Sequence, residues 1–167
     1  MRLKRFISSL HTSTKRNYIE RMNDSKIHCM KKALKFSKDY WDGDRRFGYG
    51  GYKYIPGRWK SVAEKLIKTY NLNNNSTILD AGCGKGFLLY EISLILPDIK
   101  IHGFDISKYA IKNSHKSVKR NLFIHDCKKK FPYKSKKFDL VISINTLHNL
   151  RIFDLQNAVK ECQRVSK

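Results

Sequence analysis

Three glycines at alternating positions follow a short apolar run near the middle of the chain. The run T-I-L-D-A covers residues 77–81, and Gly82, Gly84 and Gly86 come directly after it. Glycine lets the backbone turn sharply and approach a ligand that a β-carbon would obstruct. An apolar helical pattern begins right after the turn, and the unpaired N–H groups at a helix N-terminus favour a negatively charged group. The stretch therefore predicts a binding site for a nucleotide-like ligand.

Three aspartates indicate which nucleotide-like ligand this site would take. Asp80 lies two residues before the first glycine, where it would repel a pyrophosphate but attract an ammonium or a sulfonium. Asp105 lies nineteen residues after Gly86, the expected place for an acid that accepts from two ribose hydroxyls. Asp126 is placed to accept a hydrogen bond from an adenine amino group. Together these residues favour S-adenosylmethionine over a dinucleotide.

Four short apolar runs end in polar residues, and we interpret each run as a β-strand. The first ends in Asp80, and the others are Ile99–Phe104, Asn121–His125 and Phe138–Ile144, the last of which precedes Asn145. Open α/β sheets bind ligands at the carboxyl ends of their strands. The runs therefore predict an α/β fold in which one edge of a sheet carries the binding residues.

Two of the acids also have a local interpretation that involves no ligand. Asp105 could be a helix cap before Ser107, because short polar side chains accept from the first turn of a helix. Asp126 could be a turn residue, since an aspartate side chain can bond to the backbone two residues on. The joint spacing of the acids and the glycine turn favours the cofactor interpretation over both local ones.

These motifs resemble those of the class I S-adenosylmethionine-dependent methyltransferases. D-A-G-C-G-K-G is similar to that family's first motif, G-F-D-I-S to its second, H-D-C to its third and F-D-L-V-I-S-I-N-T-L-H-N-L to its fourth. The resemblance covers roughly Val62 to Lys167 and is nearest to the type 11-like branch that methylates small molecules. It implies a Rossmann-like open parallel sheet with strand order 3-2-1-4, from which strands 5–7 are missing.

The resemblance also implies a role for individual residues. Asp80 and the three glycines would wrap the methionine part of the cofactor, Asp105 would hold the ribose, and Asp126 with Cys127 would flank the adenine. The full set of predicted cofactor-binding residues is Asp80, Gly82, Cys83, Gly84, Gly86, Asp105, Ile106, Asp126, Cys127 and Asn145. Cys83 is expected to be a small residue tolerated in the turn, and not a nucleophile.

Methyl transfer by in-line displacement at the sulfonium carbon is the predicted reaction, with positioning as the main contribution of the protein. His148 is the only histidine next to the end of the fourth strand, and it is the predicted base if the acceptor is a hydroxyl or an acidic carbon. Asn145 is the second predicted catalytic residue, since it could orient the acceptor or the amino group of the cofactor. The alternatives are a histidine that packs at a loop and an asparagine that caps one.

Length and cysteine spacing limit the other possibilities. A chain of 167 residues can bury one ordinary core, and we divide it into an N-terminal segment, 1–60, and a cofactor-binding core, 61–167. No run of 18 uncharged apolar residues is present, so no membrane span is expected. The four cysteines form no C-x-x-C pair, which argues against a zinc site or a disulfide framework and favours a cytoplasmic location.

A net charge of +21 raises the question of a nucleic-acid partner. Residues 1–35 carry ten basic residues and two acids, and Lys128–Lys137 holds six lysines and no acid. Single-stranded nucleic-acid binders usually interleave aromatic residues with the charge, whereas the lysine run holds only Phe131 and Tyr133. We therefore interpret that run as a solvated loop, and a small-molecule acceptor is favoured over a nucleic acid.

Helical patterns and one aromatic segment complete the expected architecture. Asp39–Trp59 contains seven aromatic residues and five glycines, and it is interpreted as a lid over the cofactor, with an aromatic connector as the alternative. Basic helices are expected before this segment. The predicted helices with defined bounds are Lys26–Ser37, with Ser25 as a possible N-cap, Arg58–Tyr70 and Phe153–Val165.

The missing strands carry further expectations. The chain stops where similar sequences enter a fifth strand, which suggests a truncated reading frame or a fragment. The fourth strand would then be an unpaired edge with exposed apolar side chains, open to self-association. A cofactor-binding but inactive fragment or interaction module is therefore an alternative function. RNA methylation is a third possibility, although N-T-L-H replaces the Asn-Pro-Pro-aromatic motif typical of amino-group methylation.

Overall fold

The computed structural model describes residues 4–8, 19 and 24–167. The chain divides into two compact units, residues 1–53 and residues 54–167. Part of the basic N-terminal segment, and with it part of the predicted N-terminal helices, lies outside the described residues. Each unit is built around its own set of contacts.

Helices α1 (Lys26–Ala33) and α2 (Lys38–Asp42) belong to the first unit. The helix predicted over Lys26–Ser37 begins where expected but ends early, because Phe36 takes a left-handed backbone with φ of 46°. Ser25 occupies the N-cap position, but its φ is 40° and its side chain makes no capping hydrogen bond. Ser25 therefore occupies the predicted N-cap position, but its hydroxyl does not cap the helix.

Aromatic residues that follow α1 pack on one another within the first unit. Trp41 is buried and stacks on Tyr49, with ring centroids 5.3 Å apart. Tyr52 lies 4.5 Å from the ring of Tyr49, and Tyr40 meets Trp41 edge-on at 5.2 Å. Backbone bonds from Tyr49 N to Tyr40 O and from Gly51 N to Trp41 O hold the turn that brings the rings together. The glycine-rich part of the segment is non-helical, as predicted from its composition.

The second unit alternates helices and strands along the chain. Its elements are α3 (Lys60–Tyr70), β1 (Thr77–Ala81), α4 (Phe87–Ile95), β2 (Lys100–Asp105), α5 (Lys108–Lys112), β3 (Leu122–Ile124), β4 (Leu140–Ile142) and α6 (Ile152–Val165). Short 3-10 turns lie at Lys119–Asn121 and Leu147–Asn149. Helices α3 and α6 begin within two residues of their predicted starts.

The four strands form one parallel sheet with the order β3-β2-β1-β4. Asp80 pairs with Gly103 on one side and with Ile142 on the other, which places the ends of β1, β2 and β4 at one edge. This order confirms the predicted Rossmann-like open sheet. β3 and β4 are shorter than predicted, three residues each, while β1 and β2 are within one residue of expectation.

The sheet is covered on both faces. Leu79, Ala81 and Phe104 form one core cluster with Ala158 and Val165 of α6. The opposite face carries Asp80 and Gly103, where a β-carbon on Gly103 would lie 2.8 Å from Leu89 of α4. Helix α3 packs against α4 on this second face. Helix α6 and helix α4, which follows the glycine turn, therefore lie on opposite faces of the sheet.

The outer strand β4 differs from the expectation of an exposed apolar edge. Phe138, Leu140 and Ile142 are all buried: Phe138 lies in the core cluster with α6, and Leu140 and Ile142 pair with Ile78 and Asp80 of β1. Phe138 also forms a parallel bridge with Ser166, and Lys167 N donates to Phe138 O at 2.9 Å. The prediction that this strand exposes apolar side chains is therefore wrong, although β4 remains the edge of the sheet among the described residues.

Candidate functional site

Two positions of the turn after β1 require glycine, because each combines a left-handed backbone with a neighbour that a β-carbon would meet. Gly82 has φ of 90°, and a β-carbon there would lie 2.1 Å from Oγ1 of Thr146. Gly86 stands at the N-cap of α4 with φ of 73°, and its β-carbon would lie 2.7 Å from Leu122 of β3. The N–H groups of Gly82 and Cys83 both donate to Phe104 O, at 2.8 and 3.0 Å. The turn is therefore held against β2, β3 and the loop after β4.

Asp105 connects the glycine turn to the start of the next helix. Its Oδ2 accepts from Gly84 N at 2.9 Å, and its Oδ1 accepts from Ser107 N at 2.8 Å. Burial raises the pKa of Asp105, and the two backbone hydrogen bonds oppose that rise. The N-cap of α5 is Ser107, whose Oγ accepts from Ala110 N, so Asp105 is not itself the helix cap.

Asp80 is buried beside Asp105 with one oxygen unsatisfied. Its side chain is 5 % exposed, and Oδ1 makes no hydrogen bond to any described residue. Burial, and to a lesser degree the negative charge of Asp105, raises the pKa of Asp80 to about 7. A buried carboxylate without a partner is costly, so this atom marks a place where a donor or a cation would be stabilised.

Cys83 and Ile106 flank the two buried acids. The Cys83 Sγ–H donates to Gly84 O over 3.7 Å, and burial raises the pKa of its thiol well above the usual value. A raised thiol pKa keeps cysteine protonated and weakly nucleophilic. Ile106 follows Asp105 directly, and its side chain is half exposed. The Ile106 side chain offers an apolar contact beside the carboxylate of Asp105.

Asp126 and Cys127 lie at the carboxyl end of β3 in different environments. Asp126 Oδ1 accepts from Lys128 N at 3.0 Å, and Asp126 O accepts from Lys129 N, which is the turn geometry expected from the local interpretation. Cys127 is buried in the core cluster with Phe131 and Phe138. Burial raises the pKa of Cys127 to about 12. The side chain of Asp126 is only partly buried.

The predicted catalytic residues lie after β4, where the chain turns toward α6. Asn145 is exposed and has φ of 55°, and His148 is exposed in the turn Leu147–Asn149. Between them, Thr146 Oγ1 donates to Gly82 O at 3.3 Å, and earlier Ser143 Oγ donates to Ala81 O at 2.7 Å. These hydroxyls fasten the loop after β4 to the glycine turn, which places Asn145 near that turn.

Sequence reasoning missed one residue inside the turn itself. Lys85, between Gly84 and Gly86, is 4 % exposed, and its Nζ lies 5.7 Å from the ring centroid of Tyr109 on α5. A cation near an aromatic face is stabilised by the ring quadrupole. The signal was available in the motif, since a charged residue stands between two glycines of the turn. Thr146 had no comparable signal.

A buried carboxylate on α4 was also missed. Glu91 is 3 % exposed, and its Oε1 accepts both from the Tyr54 hydroxyl at 3.0 Å and from Gly57 N at 2.8 Å. Tyr54 further packs edge-on against Phe87 at the start of α4. These contacts fix residues 54–57, the last part of the aromatic segment, to the helix that follows the glycine turn. The only sequence signal was one acid within an otherwise apolar helix.

Comparison with known proteins gives a family and a fold. Residues 72–167, more than half of the chain, match the model of a family described as a methyltransferase domain. The chain is 33% identical over 104 residues to the ribosomal RNA small subunit methyltransferase C of Buchnera aphidicola, and the match covers 61% of this chain. The chain spans 30% of the length of that protein and 60% of the length of a second curated relative, from Bacillus subtilis.

Solved structures share the architecture at low identity. The PH0226 protein of Pyrococcus horikoshii has a TM-score of 0.58 at 22% identity and covers 78% of this chain and 58% of its own. A SAM dependent methyltransferase of Aquifex aeolicus has a TM-score of 0.52 at 23% identity and covers 69% of each chain. At these identities the likeness shows the fold alone.

Proposed function

Since the chain belongs to the methyltransferase domain family, we propose that it transfers a methyl group to a small-molecule or saccharide-type acceptor. The family and the fold imply S-adenosyl-L-methionine as the cofactor. In this proposal the cofactor lies at the carboxyl edge of the sheet, along the glycine turn and the ends of β2 and β3. No helix in the described part of the chain is long and apolar enough to cross a membrane.

The unsatisfied Oδ1 of Asp80 is the observation that carries the cofactor assignment. A buried carboxylate oxygen without a partner among the described residues suits the ammonium of a methionyl group and disfavours the phosphates of a dinucleotide. Gly82, Cys83, Gly84 and Gly86 would line the same group, because the turn presents backbone to it. The chemistry of the residues therefore fits S-adenosyl-L-methionine.

The adenosine part would be held by the residues after β2 and β3. Asp105 keeps both oxygens in place through its bonds to Gly84 N and Ser107 N, and each oxygen has a second lone pair for a ribose hydroxyl. Ile106, Asp126 and Cys127 would surround the adenine in this proposal. Of these, Asp126 already accepts from Lys128 N, so its second oxygen is the one assigned to the adenine amino group.

The cofactor, when bound, supplies a methyl group that its sulfonium has already activated. The residues of the chain would then orient the acceptor and, for a hydroxyl acceptor, remove its proton. His148 is proposed as that base, with the proton received on a ring nitrogen, because its exposed position leaves it accessible to an acceptor. Asn145, whose backbone is held in a left-handed turn, would orient the acceptor or the methionyl amino group.

RNA methylation is the second candidate, and two observations favour it. The relative with 33% identity is named as a ribosomal RNA methyltransferase, and the chain carries a net charge of +21. The N-T-L-H sequence at residues 145–148 speaks for the small-molecule candidate, since it lacks the two prolines of the amino-group methylation motif. The two candidates differ only in the acceptor.

Transfer of a labelled methyl group separates these functions. We expect the chain to label a component of a small-metabolite extract and to leave protein-free ribosomal RNA unlabelled. His148→Ala should lower turnover by about 10²-fold for a hydroxyl acceptor while cofactor affinity stays unchanged. Labelling of the RNA alone would select the second candidate. Cofactor binding measured by calorimetry with no labelling of either acceptor would point to the inactive cofactor-binding module.

A cytoplasmic location and self-association complete the proposal. All four cysteines are free thiols, in agreement with a reducing compartment. β4 is an edge strand among the described residues, and an edge strand can pair with a second copy of the chain. Light scattering at rising protein concentration would test it.

A further inference from the structure

Residues 128–137, called here the lysine loop, connect the carboxyl end of β3 to the amino end of β4. Lys128, Lys129, Lys130, Lys134, Lys136 and Lys137 are all exposed. Because β3 and β4 are parallel strands at opposite edges of the sheet, the loop returns from the carboxyl end of one to the amino end of the other and crosses the width of the sheet. The six ammonium groups therefore form a band along the protein surface, and not a single point of charge.

An ion pair on α6 holds the backbone of the lysine loop. Arg164 donates from NH1 to Tyr133 O at 2.8 Å and from NH2 to Phe131 O at 3.1 Å. Glu161 Oε2 accepts from Phe131 N at 2.7 Å, and both oxygens of Glu161 also accept from Arg164. The pair thus satisfies three backbone groups of the loop, and Lys136 N adds a bond to Arg164 O.

The loop is also anchored by its own aromatic side chains. Phe131 is 1 % exposed within the core cluster, and Tyr133 packs against it as a partly buried neighbour. The Nζ of Lys137 lies 4.5 Å from the ring centroid of Tyr133. Phe131 and Tyr133 therefore face the core, and the exposed residues of the loop are the six lysines with Pro132 and Ser135.

The charge of the band is not neutralised by the protein. Among the described residues, no carboxylate forms an ion pair with any of the six lysines, and the nearest acid on α6, Glu161, is occupied by Arg164. Arg164 lowers the pKa of Glu161 through their hydrogen bonds, so this pair stays ionised. Because Arg164 and Glu161 already hold the loop backbone, only the lysine side chains need to be ordered when the loop meets a row of anions.

We propose that the lysine loop binds the sugar–phosphate backbone of a single-stranded nucleic acid. Evenly spaced phosphates match a band of ammonium groups, and lysine contacts phosphate as a point charge without a need for defined geometry. A lipid surface fits less well, because Phe131 is buried and Tyr133 is partly buried, so the loop has no fully exposed aromatic side chain to insert. With no exposed aromatic platform, binding would be electrostatic and independent of base sequence. The lysine loop begins two residues after Asp126, next to the proposed cofactor site, but its binding of phosphates does not depend on methyl transfer.

Two variants of equal charge test the surface. The first replaces Lys128, Lys129 and Lys130 by Gln; the second replaces Lys65, Lys68 and Lys116 by Gln. All three control lysines are exposed, and they lie on α3 and after α5, on the α4 side of the sheet. Both variants lose three positive charges, and a melting curve of each is measured first to check that it is folded. Affinity is measured by fluorescence anisotropy with a labelled RNA of about 12 nucleotides and a DNA of the same sequence.

The loop variant should bind the RNA about tenfold more weakly at low salt, and the control variant less than twofold more weakly. Between about 50 and 200 mM salt, the slope of log K against log salt should become shallower by about 2 in the loop variant alone, since three contacts are lost. Equal affinity for RNA and DNA would identify the phosphates as the groups that the loop contacts. A higher affinity for RNA would show that the loop also contacts the 2′-hydroxyl of the sugar. Equal losses in both variants, or no binding by the wild type at 50 mM salt, would overturn the proposal.

Discussion

The two halves of the carboxyl edge of the sheet are built differently. At the ends of β1 and β2, Asp80 and Asp105 are buried, and Asp105 bonds to the glycine turn and to the start of α5. At the ends of β3 and β4, Asp126 is partly buried, while Asn145 and His148 are exposed. One half is preorganised by the protein itself, and the other presents polar groups to solvent.

The difference separates the two steps of the proposed function. The proposed cofactor-binding residues at β1 and β2 are already held in place, whereas the proposed acceptor-binding residues after β4 are exposed. A buried, hydrogen-bonded carboxylate is held in one geometry, so the β1–β2 half can select a ligand before it arrives. Exposed side chains on a loop keep rotamer freedom, and an acceptor must order them on binding. Changes in the β1–β2 half should therefore have larger effects than matched changes in the β3–β4 half.

The largest expected effect concerns the protonation of Asp80. Its pKa is raised to about 7 by burial, so the folded chain holds a proton that the unfolded chain has released. The free energy of unfolding contributed by this group should fall as pH rises from about 4 to about 7, by roughly 4 kcal/mol at 1.36 kcal/mol per pH unit. Urea unfolding across this range should show the fall in the wild type and not in Asp80→Asn.

Asp126→Asn is the matched variant for that measurement, because Asp126 lies at the end of a neighbouring strand. Its stability profile should follow that of the wild type. If Asp80→Asn and the wild type showed parallel profiles, Asp80 would be ionised in the folded chain. That result would contradict the raised pKa of Asp80, while the contrast in burial between the two halves would stand.

A β-carbon at Gly82 should be the next most disruptive change. Gly82→Ala combines a left-handed backbone with contacts of 2.1–2.6 Å to Thr146, whereas Gly57→Ala has φ of 75° and no atom within 4 Å. We expect losses in the free energy of unfolding of about 3 kcal/mol for Gly82→Ala and about 1 kcal/mol for Gly57→Ala. Chemical denaturation gives both values.

The double variant Gly82→Ala with Thr146→Gly separates the two causes. Removal of the Thr146 side chain should recover the part of the loss that comes from the steric contact and leave the part that comes from φ. Equal losses for Gly82→Ala and Gly57→Ala would show that the loop after β4 yields readily. In that case the turn would not be held against β4 as tightly as the distances indicate.

Cofactor affinity offers the most direct contrast between the halves. Asp105→Ala should weaken binding of S-adenosyl-L-methionine by about 1–3 kcal/mol, because charge-assisted hydrogen bonds to the ribose and the support of Gly84 N are both lost. Asp126→Ala, on the less ordered half, should cost under about 1 kcal/mol. Isothermal calorimetry at one pH measures both, and a larger cost for Asp126 would reverse the assignment.

The smallest expected effect is a change in hydrogen exchange along residues 39–59. If this segment closes as a lid, saturating cofactor should slow exchange in residues 43–52. Residues 54–57 are already fixed to Glu91, so their amides should change less. Unchanged exchange throughout the segment would favour the aromatic connector.

Local patterns predicted most of the sheet and the glycine turn. The strands, the acids at their carboxyl ends and the helix after the turn follow from short apolar runs, whereas the strand order was implied by the resemblance to class I methyltransferases. Contacts between distant residues had no such signal. The bond from Tyr54 to Glu91 joins residues 37 apart, and the contact of Thr146 with Gly82 joins residues 64 apart. These long-range contacts, which hold the residues around the glycine turn in place, were therefore visible only in the structure.

β4 shows why the edge of the sheet was predicted less well. Its apolar run predicted a strand over Phe138–Ile144 with exposed side chains. In the structure Phe138 forms a bridge with Ser166, and the strand itself covers only Leu140–Ile142. Composition alone could not show that α6 returns the chain to this point. The same limitation affected the lysine loop, whose fixation depends on Arg164, 31 residues from Tyr133.

The bridge between Phe138 and Ser166 has a practical consequence for protein engineering. Because it is parallel, a peptide fused after Lys167 would begin alongside β4, running in the same direction as that strand. Such a fusion could add a strand to the sheet or block the edge. An affinity tag at this position would then alter the measured oligomeric state, and it should be removed by cleavage before light scattering.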